Sequence, residues 1–182
     1  SINRASANPT NASSVAFTVQ FSEDVSGVNA ADFSLTTTGL SGSSLGTITQ
    51  NSANNYTVNV NVGTGTGTLR LDVTDNDSII DGWTNPLGGA GAGNGNFTTG
   101  QVYTVDRTAP SVSSIVRADA NPTGSPSVDF TVTFDESVTG VNAGDFALTL
   151  VGLSGASVAA VTPVSGTVYT VSVNTGTGNG TI

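Results

Sequence analysis

The sequence predicts an all-β protein of two tandem seven-strand sandwiches, the second incomplete, and three observations predict it. The stretch from Asn8-Pro9-Thr10 to Leu69 recurs without a gap from Asn121-Pro122-Thr123 to Ile182. Residue 8 recurs at 121, and at that offset of 113 about 40 of 69 overlapping positions are identical. Within each copy, apolar residues alternate with polar ones, as in Val15, Phe17, Val19, Phe21 and in Val128, Phe130, Val132, Phe134. Period two is the signature of half-buried strands. Turn residues stay in register between the copies (Asn8-Pro9, Gly27, Gly39, Gly42, Gly63, Gly65, Gly67) and mark where those strands stop. A repeat of this length is too long for a solenoid unit or a propeller blade and suits a free-standing sandwich plus a linker.

Taken in order, the first strand is expected over residues 1–7. It stops at Asn8-Pro9 because proline has no amide for a sheet interior. The second, 14–22, is the clearest and sends Val15, Phe17, Val19 and Phe21 into the core. A loop through Glu23 and Asp24 leads to a third strand over 32–38, with Phe33 and Leu35, and a shorter fourth over 45–50. Asn54-Asn55 turns into a fifth over 56–62, and Gly63 to Gly67 turn into a sixth over 68–74, with Leu69, Leu71 and Val73 inward. A long irregular segment, 75–100, precedes the seventh, 101–106. Seven short strands separated by turns at this spacing make an immunoglobulin-like sandwich. Repeat 1 is thus 1–107, a linker occupies 108–110, and a truncated repeat 2 occupies 111–182. Pro110 restricts its own φ and biases Ala109 to extended geometry, so the linker should be stiff. Repeat 2 reaches only the start of its sixth strand. Its open edge is expected to be covered by a continuation of the chain or, less readily, by another chain.

Composition removes much chemistry. There is no cysteine and no histidine, and all four basic residues (Arg4, Arg70, Arg107, Arg117) are arginines. Thiol nucleophiles, disulfides, imidazole bases and lysine Schiff bases are therefore excluded. Thirteen carboxylates bring the net charge to -9, which excludes nucleic acid as a natural partner. Charged residues are only 9% of the chain amid abundant Gly, Ser, Thr and Asn, the balance of secreted surface material. The alternating Val and Phe argue against disorder. No apolar run is long enough to span a membrane, so none is expected to insert from this segment.

The strings Asn-Pro-Thr, Val-x-Phe-Thr-Val-x-Phe-x-Glu-x-Val-x-Gly-Val-Asn-Ala-x-Asp-Phe, Tyr-Thr-Val, Asn85-Pro86-Leu87-Gly88-Gly89 and Tyr103-Thr-Val-Asp106-x-Thr-Ala-Pro110 cover essentially the whole chain. Together they resemble the tandem immunoglobulin-like repeats of very large bacterial surface proteins. The resemblance implies an extracellular, non-catalytic stalk or adhesin region at the cell surface. Its partners would be neighbouring repeats and, in a fibre, other copies. The second reading is a carbohydrate- or partner-binding accessory module of a secreted protein.

The constellation with most chemistry is Asp75-Asn76-Asp77-Ser78-Ile79-Ile80-Asp81. Hard oxygen ligands in such density suit calcium, although the glycine and terminal glutamate of a helix-loop-helix calcium site are missing. In a seven-strand sandwich the loops after the second and sixth strands share a pole, which brings Glu23 and Asp24 towards Asp75, Asp77 and Asp81. By the same logic Asp106 would meet Asp135 and Glu136 at the next junction. Calcium among these eight carboxylates is one expectation, and a solvated acidic surface is the other. The glycine-rich run Gly88 to Gly95 lacks the Lys-Ser/Thr and the helix of a phosphate loop and reads as a surface loop. The carboxylate pairs Glu23/Asp24 and Asp75/Asp77 have nothing that marks a glycosidase. The acceptor patterns at Asn11, Asn55, Asn76 and Asn96 are expected by chance in so Asn- and Thr-rich a chain. Trp83, the single tryptophan, is expected to plug one end of the core, with an adhesive contact as the alternative.

Overall fold

A computed structural model describes every residue from Ser1 to Ile182. The chain divides into two compact units, Ser1–Thr108 and Ala109–Ile182, and each is built on its own core.

Unit 1 contains β1 (Ile2–Arg4), β2 (Ser14–Gln20), β3 (Phe33–Thr38), β4 (Ser44–Ser52), β5 (Asn55–Asn61), β6 (Gly67–Val73) and β7 (Val102–Val105). One sheet runs β1-β2-β5-β4 and the other β3-β6-β7, with antiparallel neighbours throughout. Four strands facing three in this order is the constant-type immunoglobulin-like sandwich. The alternation explains why it closes. Val15, Phe17 and Val19 of β2 are buried, as are Tyr56, Val58 and Val60 of β5. Phe17 is register-paired with Val58, and Val15 with Val60. Leu69, Leu71 and Val73 of β6 face them together with Tyr103 and Val105 of β7. Each such side chain contributes about 1.5–3 kcal/mol by leaving water.

Two strands differ from the sequence expectation. β1 is only Ile2–Arg4, because after it the chain leaves the first sheet and runs beside β7. The Thr10 amide donates to Thr104 O at 3.0 Å, and the Asp106 amide donates to Thr10 O at 2.9 Å. The Asn8 side chain accepts from the Thr104 amide at 2.6 Å. β4 is longer than expected, since two register irregularities against β5 let it keep pairing.

Three arginines are absorbed into unit 1. Arg4 donates to Val102 O at 2.7 Å and lies 5.9 Å from the Tyr103 ring centroid. Arg70 pairs with Asp72 at 2.6 Å. Arg107 donates to Ala12 O at 2.7 Å and to Gly63 O at 2.8 Å, tying the end of β7 to two turns.

Unit 2 repeats the plan with β8 (Val112–Arg117), β9 (Ser127–Phe134), β10 (Val151–Ser154), β11 (Ser157–Pro163), β12 (Val168–Asn174) and β13 (Thr177–Thr181). The four-stranded sheet β8-β9-β12-β11 is complete, whereas the facing sheet is the pair β10-β13. It has no strand at the β7 position. Val132, Val171 and Val173 are buried, with Phe130, Phe134, Phe146 and Leu148 packed partly against them. The consequence shows at equivalent positions: Ile2 is 3% exposed and Ile115 58%.

Candidate functional site

The loops after β2 and β6 meet at one pole of unit 1. Ser26 and Ile80 exchange both backbone hydrogen bonds, at 2.8 and 3.0 Å. The N-terminus lies at the same end, where the Ser1 ammonium donates to Gln20 O at 2.7 Å. The segment from Thr74 to Gln101 folds over this pole. Ile79 is fully inserted, Leu87 and Phe97 pack on the core, and Val73 bridges Phe97.

Carboxylates hold this segment by accepting backbone amides. Asp75 accepts from Asp77 N at 3.1 Å, Gly93 N at 3.0 Å and Gly95 N at 3.1 Å. The Asp77 amide, followed by those of Gly95 and Gly93, holds the Asp75 carboxyl below the usual carboxylate range against a burial effect that raises it. Asp81 accepts from the Asn85 side chain and amide and from the Trp83 amide, and these donors, the side chain first, lower its pKa as well. Asp77 has φ 65. Its Oδ2 accepts from Gly91 N at 3.0 Å, while its Oδ1 is buried without a hydrogen-bond partner.

The other sequence-derived candidates are distributed differently. Glu23 and Asp24 are exposed in the loop after β2. Asp106, at the end of β7, accepts from Thr108 N at 3.0 Å. Asp135, in unit 2, accepts from the amide and hydroxyl of Ser111 at 2.7 and 2.6 Å. The Ser111 hydroxyl, then its amide, lowers the Asp135 pKa. Glu136 follows it in the loop leaving β9. No three carboxylates form a group that could hold a metal ion: loop amides have recruited Asp75 and Asp81.

Sequence reasoning overlooked Asp32, which is fully buried at this pole. It accepts the Asn29 amide and the Ser78 hydroxyl, both at 2.6 Å, and so fastens the 3-10 turn Ala30–Asp32 to the long loop. The available signal was the Asn-x-x-Asp spacing of a capping box, which Asn142 and Asp145 repeat in unit 2. Trp83 requires a correction. It is 87% exposed and plugs nothing, because Asp81 turns the chain outward there and Thr84 follows with φ 66. Ile79, Leu87 and Phe97 close the end instead. Beside the pole an open groove runs between Val25–Ala30 and the core-facing side of β4 at Gly46, Ile48 and Gln50, with Tyr56 of β5 at its base. Burial raises the Tyr56 pKa, and its hydroxyl donates to Val25 O at 3.3 Å.

Comparison with known proteins adds one likeness. No family model matches the chain, and no curated protein does. Among solved structures, FdeC, described as a broadly conserved Escherichia coli adhesin, aligns at 18% identity and a TM-score of 0.41. The alignment covers 98% of this chain and 55% of that one, so the chain spans about half the length of FdeC. A likeness at that level carries no argument about function, and the fold rests on the strand order above. No helix is long and apolar enough to cross a membrane.

Proposed function

We propose that the chain is a non-catalytic structural repeat segment of an extracellular bacterial surface adhesin, fibre or stalk, giving reach and semi-rigidity. The observation that carries this reading is the same four-stranded sheet order built twice from a sequence that repeats 113 residues on, with only residues 108–110 between the repeats. Duplication of a domain at a short spacing adds length, and a proline-bearing connection limits how far neighbours swing. The resemblance of the repeated strings to bacterial surface repeats supports it further. Small-angle scattering of chains carrying two, four and six repeats tests it: the maximum dimension should rise by a constant increment per repeat. A dimension that saturates would mean a collapsed particle and would sink the stalk.

Trp83 favours the second reading, a module that binds carbohydrate or a protein partner, because a large ring held outward on a pinned turn is a ready contact. Binding of surface glycans that disappears in Trp83→Ala would establish it. Calcium belongs to the stalk reading as a proposal. Its support is the buried Oδ1 of Asp77, which no hydrogen bond satisfies. Calorimetric titration with calcium tests it, and a titration without heat removes the ion from the account.

A further inference from the structure

Residues 88–95 close over Asp75, and the closure depends on two neighbouring groups that react with each other. Position 95 requires glycine, because an added Cβ would lie 2.5 Å from the Leu87 carbonyl oxygen. Position 94 requires a side-chain donor: the Asn94 Nδ2 donates to Gly89 O at 3.1 Å and to Ala90 O at 3.2 Å. A carboxylate there would have no proton to give. The loop is therefore built on an Asn-Gly pair, and asparagine is a chemically labile residue. A glycine amide has no Cβ beside it to hinder its approach to the side-chain carbon of the preceding asparagine, so the two close readily into a succinimide ring.

The closed loop restrains that attack. The Gly95 and Gly93 amides both donate to Oδ2 of Asp75, at 3.1 and 3.0 Å, so the nucleophile is tied to a buried carboxylate. The rest of the surroundings favour reaction. Asn94 is exposed to water. Gly88, having no side chain, leaves open the space beside Gly95 N and Asn94 Oδ1, which lie 2.5 and 2.7 Å from the point its Cβ would occupy. Asn76, in the same segment and also exposed, precedes Asp77 and lacks this freedom.

We infer that Asn94-Gly95 is a self-modification site that acts as a one-way latch on the loop over the pole of unit 1. When residues 88–95 open, Gly95 N gives up its proton and bonds to Asn94 Cγ. The Cγ–Nδ2 bond breaks, and the nitrogen departs as ammonia with that proton. Water then adds to one of the two ring carbonyls and leaves aspartate, or isoaspartate when the main chain runs through Cγ. Nothing is oxidised or reduced, and water is the sole co-reactant. Either product loses the donor that held Gly89 and Ala90 and adds a second negative charge to a loop already wrapped on Asp75. Isoaspartate also lengthens the backbone between the Gly93 and Gly95 amides, which have to converge on a single oxygen. The opened loop then cannot close as before. This chemistry is independent of the stalk reading.

The test incubates the full chain and a free peptide of residues 91–98 side by side at mildly alkaline pH. Peptide mapping with mass spectrometry reads conversion at each asparagine, and nuclear magnetic resonance reads amide exchange at Gly93 and Gly95. The peptide gives the rate of the unrestrained pair. In the chain, Asn94 should convert ahead of Asn76, and more slowly than in the peptide by the factor that folding imposes on Gly95 exchange, because both need the same local opening. The converted chain should exchange Gly93 and Gly95 about tenfold faster, as expected for the loss of one hydrogen bond. Asn94→Gln, without the reactive pair, should hold its own exchange rates constant through the incubation. Conversion at the peptide's rate overturns the latch, as does no conversion within the time that Gly95 exchange sets. Unchanged exchange in the converted chain, or an equal speeding in Asn94→Gln, overturns it as well.

Discussion

Replacing Tyr103 with phenylalanine isolates one buried hydroxyl. The ring is fully buried, and phenylalanine keeps its packing against Phe17, so only the hydrogen bonds change. Ala16 O loses the phenol at 2.7 Å but keeps the Ala5 amide at 2.9 Å. The Ser6 amide loses its acceptor at 2.7 Å and gains nothing from the ring. The cost is therefore dominated by one orphaned donor, about 1–3 kcal/mol. For a domain of this size each kcal/mol lowers the melting temperature by about 4–8 °C. Tyr103→Ala also removes the ring and should cost about 3–5 kcal/mol. Urea denaturation followed by circular dichroism, with exchange of unit 1 and unit 2 amides measured separately, gives both values. The loss should appear in unit 1 alone. A Tyr103→Phe change within about 0.5 kcal/mol of the parent, or a loss equal to that of alanine, refutes the role given to the hydroxyl.

Three more outcomes follow from the pole of unit 1. Asp75 has a lowered folded pKa, so its contribution is present above the ordinary carboxylate value and is lost as pH falls through the folded one. The Gly93 and Gly95 amide resonances should therefore shift together in acid, with a midpoint below that of a free aspartate, and Asp75→Asn should abolish the transition. A midpoint at or above the ordinary value contradicts the amide cradle. Gly27 has φ +84, and an added Cβ would run into the Ser78 carbonyl oxygen, whereas Gly140, with φ +82, has nothing within 4 Å. Gly140→Ala should cost about 1–2 kcal/mol from backbone conformation alone. Gly27→Ala should cost more and break the Ser26–Ile80 pairing, so equal losses in urea melts would disprove the contact. Trp83→Ala should leave the melting free energy within about 0.5 kcal/mol of the parent, and a larger loss would mean the ring packs on the fold after all.

Where periodicity governs burial, the sequence was legible. Val15, Phe17 and Val19 alternate because β2 has one wet face, and Leu69, Leu71 and Val73 do so in β6. Asp72 breaks that logic. It lies on the outward face of β6 yet is buried, because Arg70 and Thr36 close over it. Burial pushes its pKa up, and the hydrogen bonds from Arg70 and Thr36 hold it down on balance. Alternation cannot foretell such a lid, which depends on the side-chain partner across β3. The loop chemistry was legible only in kind. Density of Asp and Asn announced a polar turn, but whether the oxygens face a cation or backbone amides depends on the path of residues 88–95, which no period encodes. Trp83 failed for the same reason: its direction follows from Asp81 capturing two amides and from the left-handed Thr84.

The placement of the arginines also bears on survival in an environment rich in digestive enzymes. A protease that cuts after basic residues finds only four candidate bonds in the chain. The carbonyl of Val102 occupies the Arg4 head group, the Asp72 carboxylate that of Arg70, and turn carbonyls that of Arg107. To present any of these three in a cleavage groove, unit 1 must first open locally. Arg117, whose side chain is exposed on β8, is where such an enzyme would cut first.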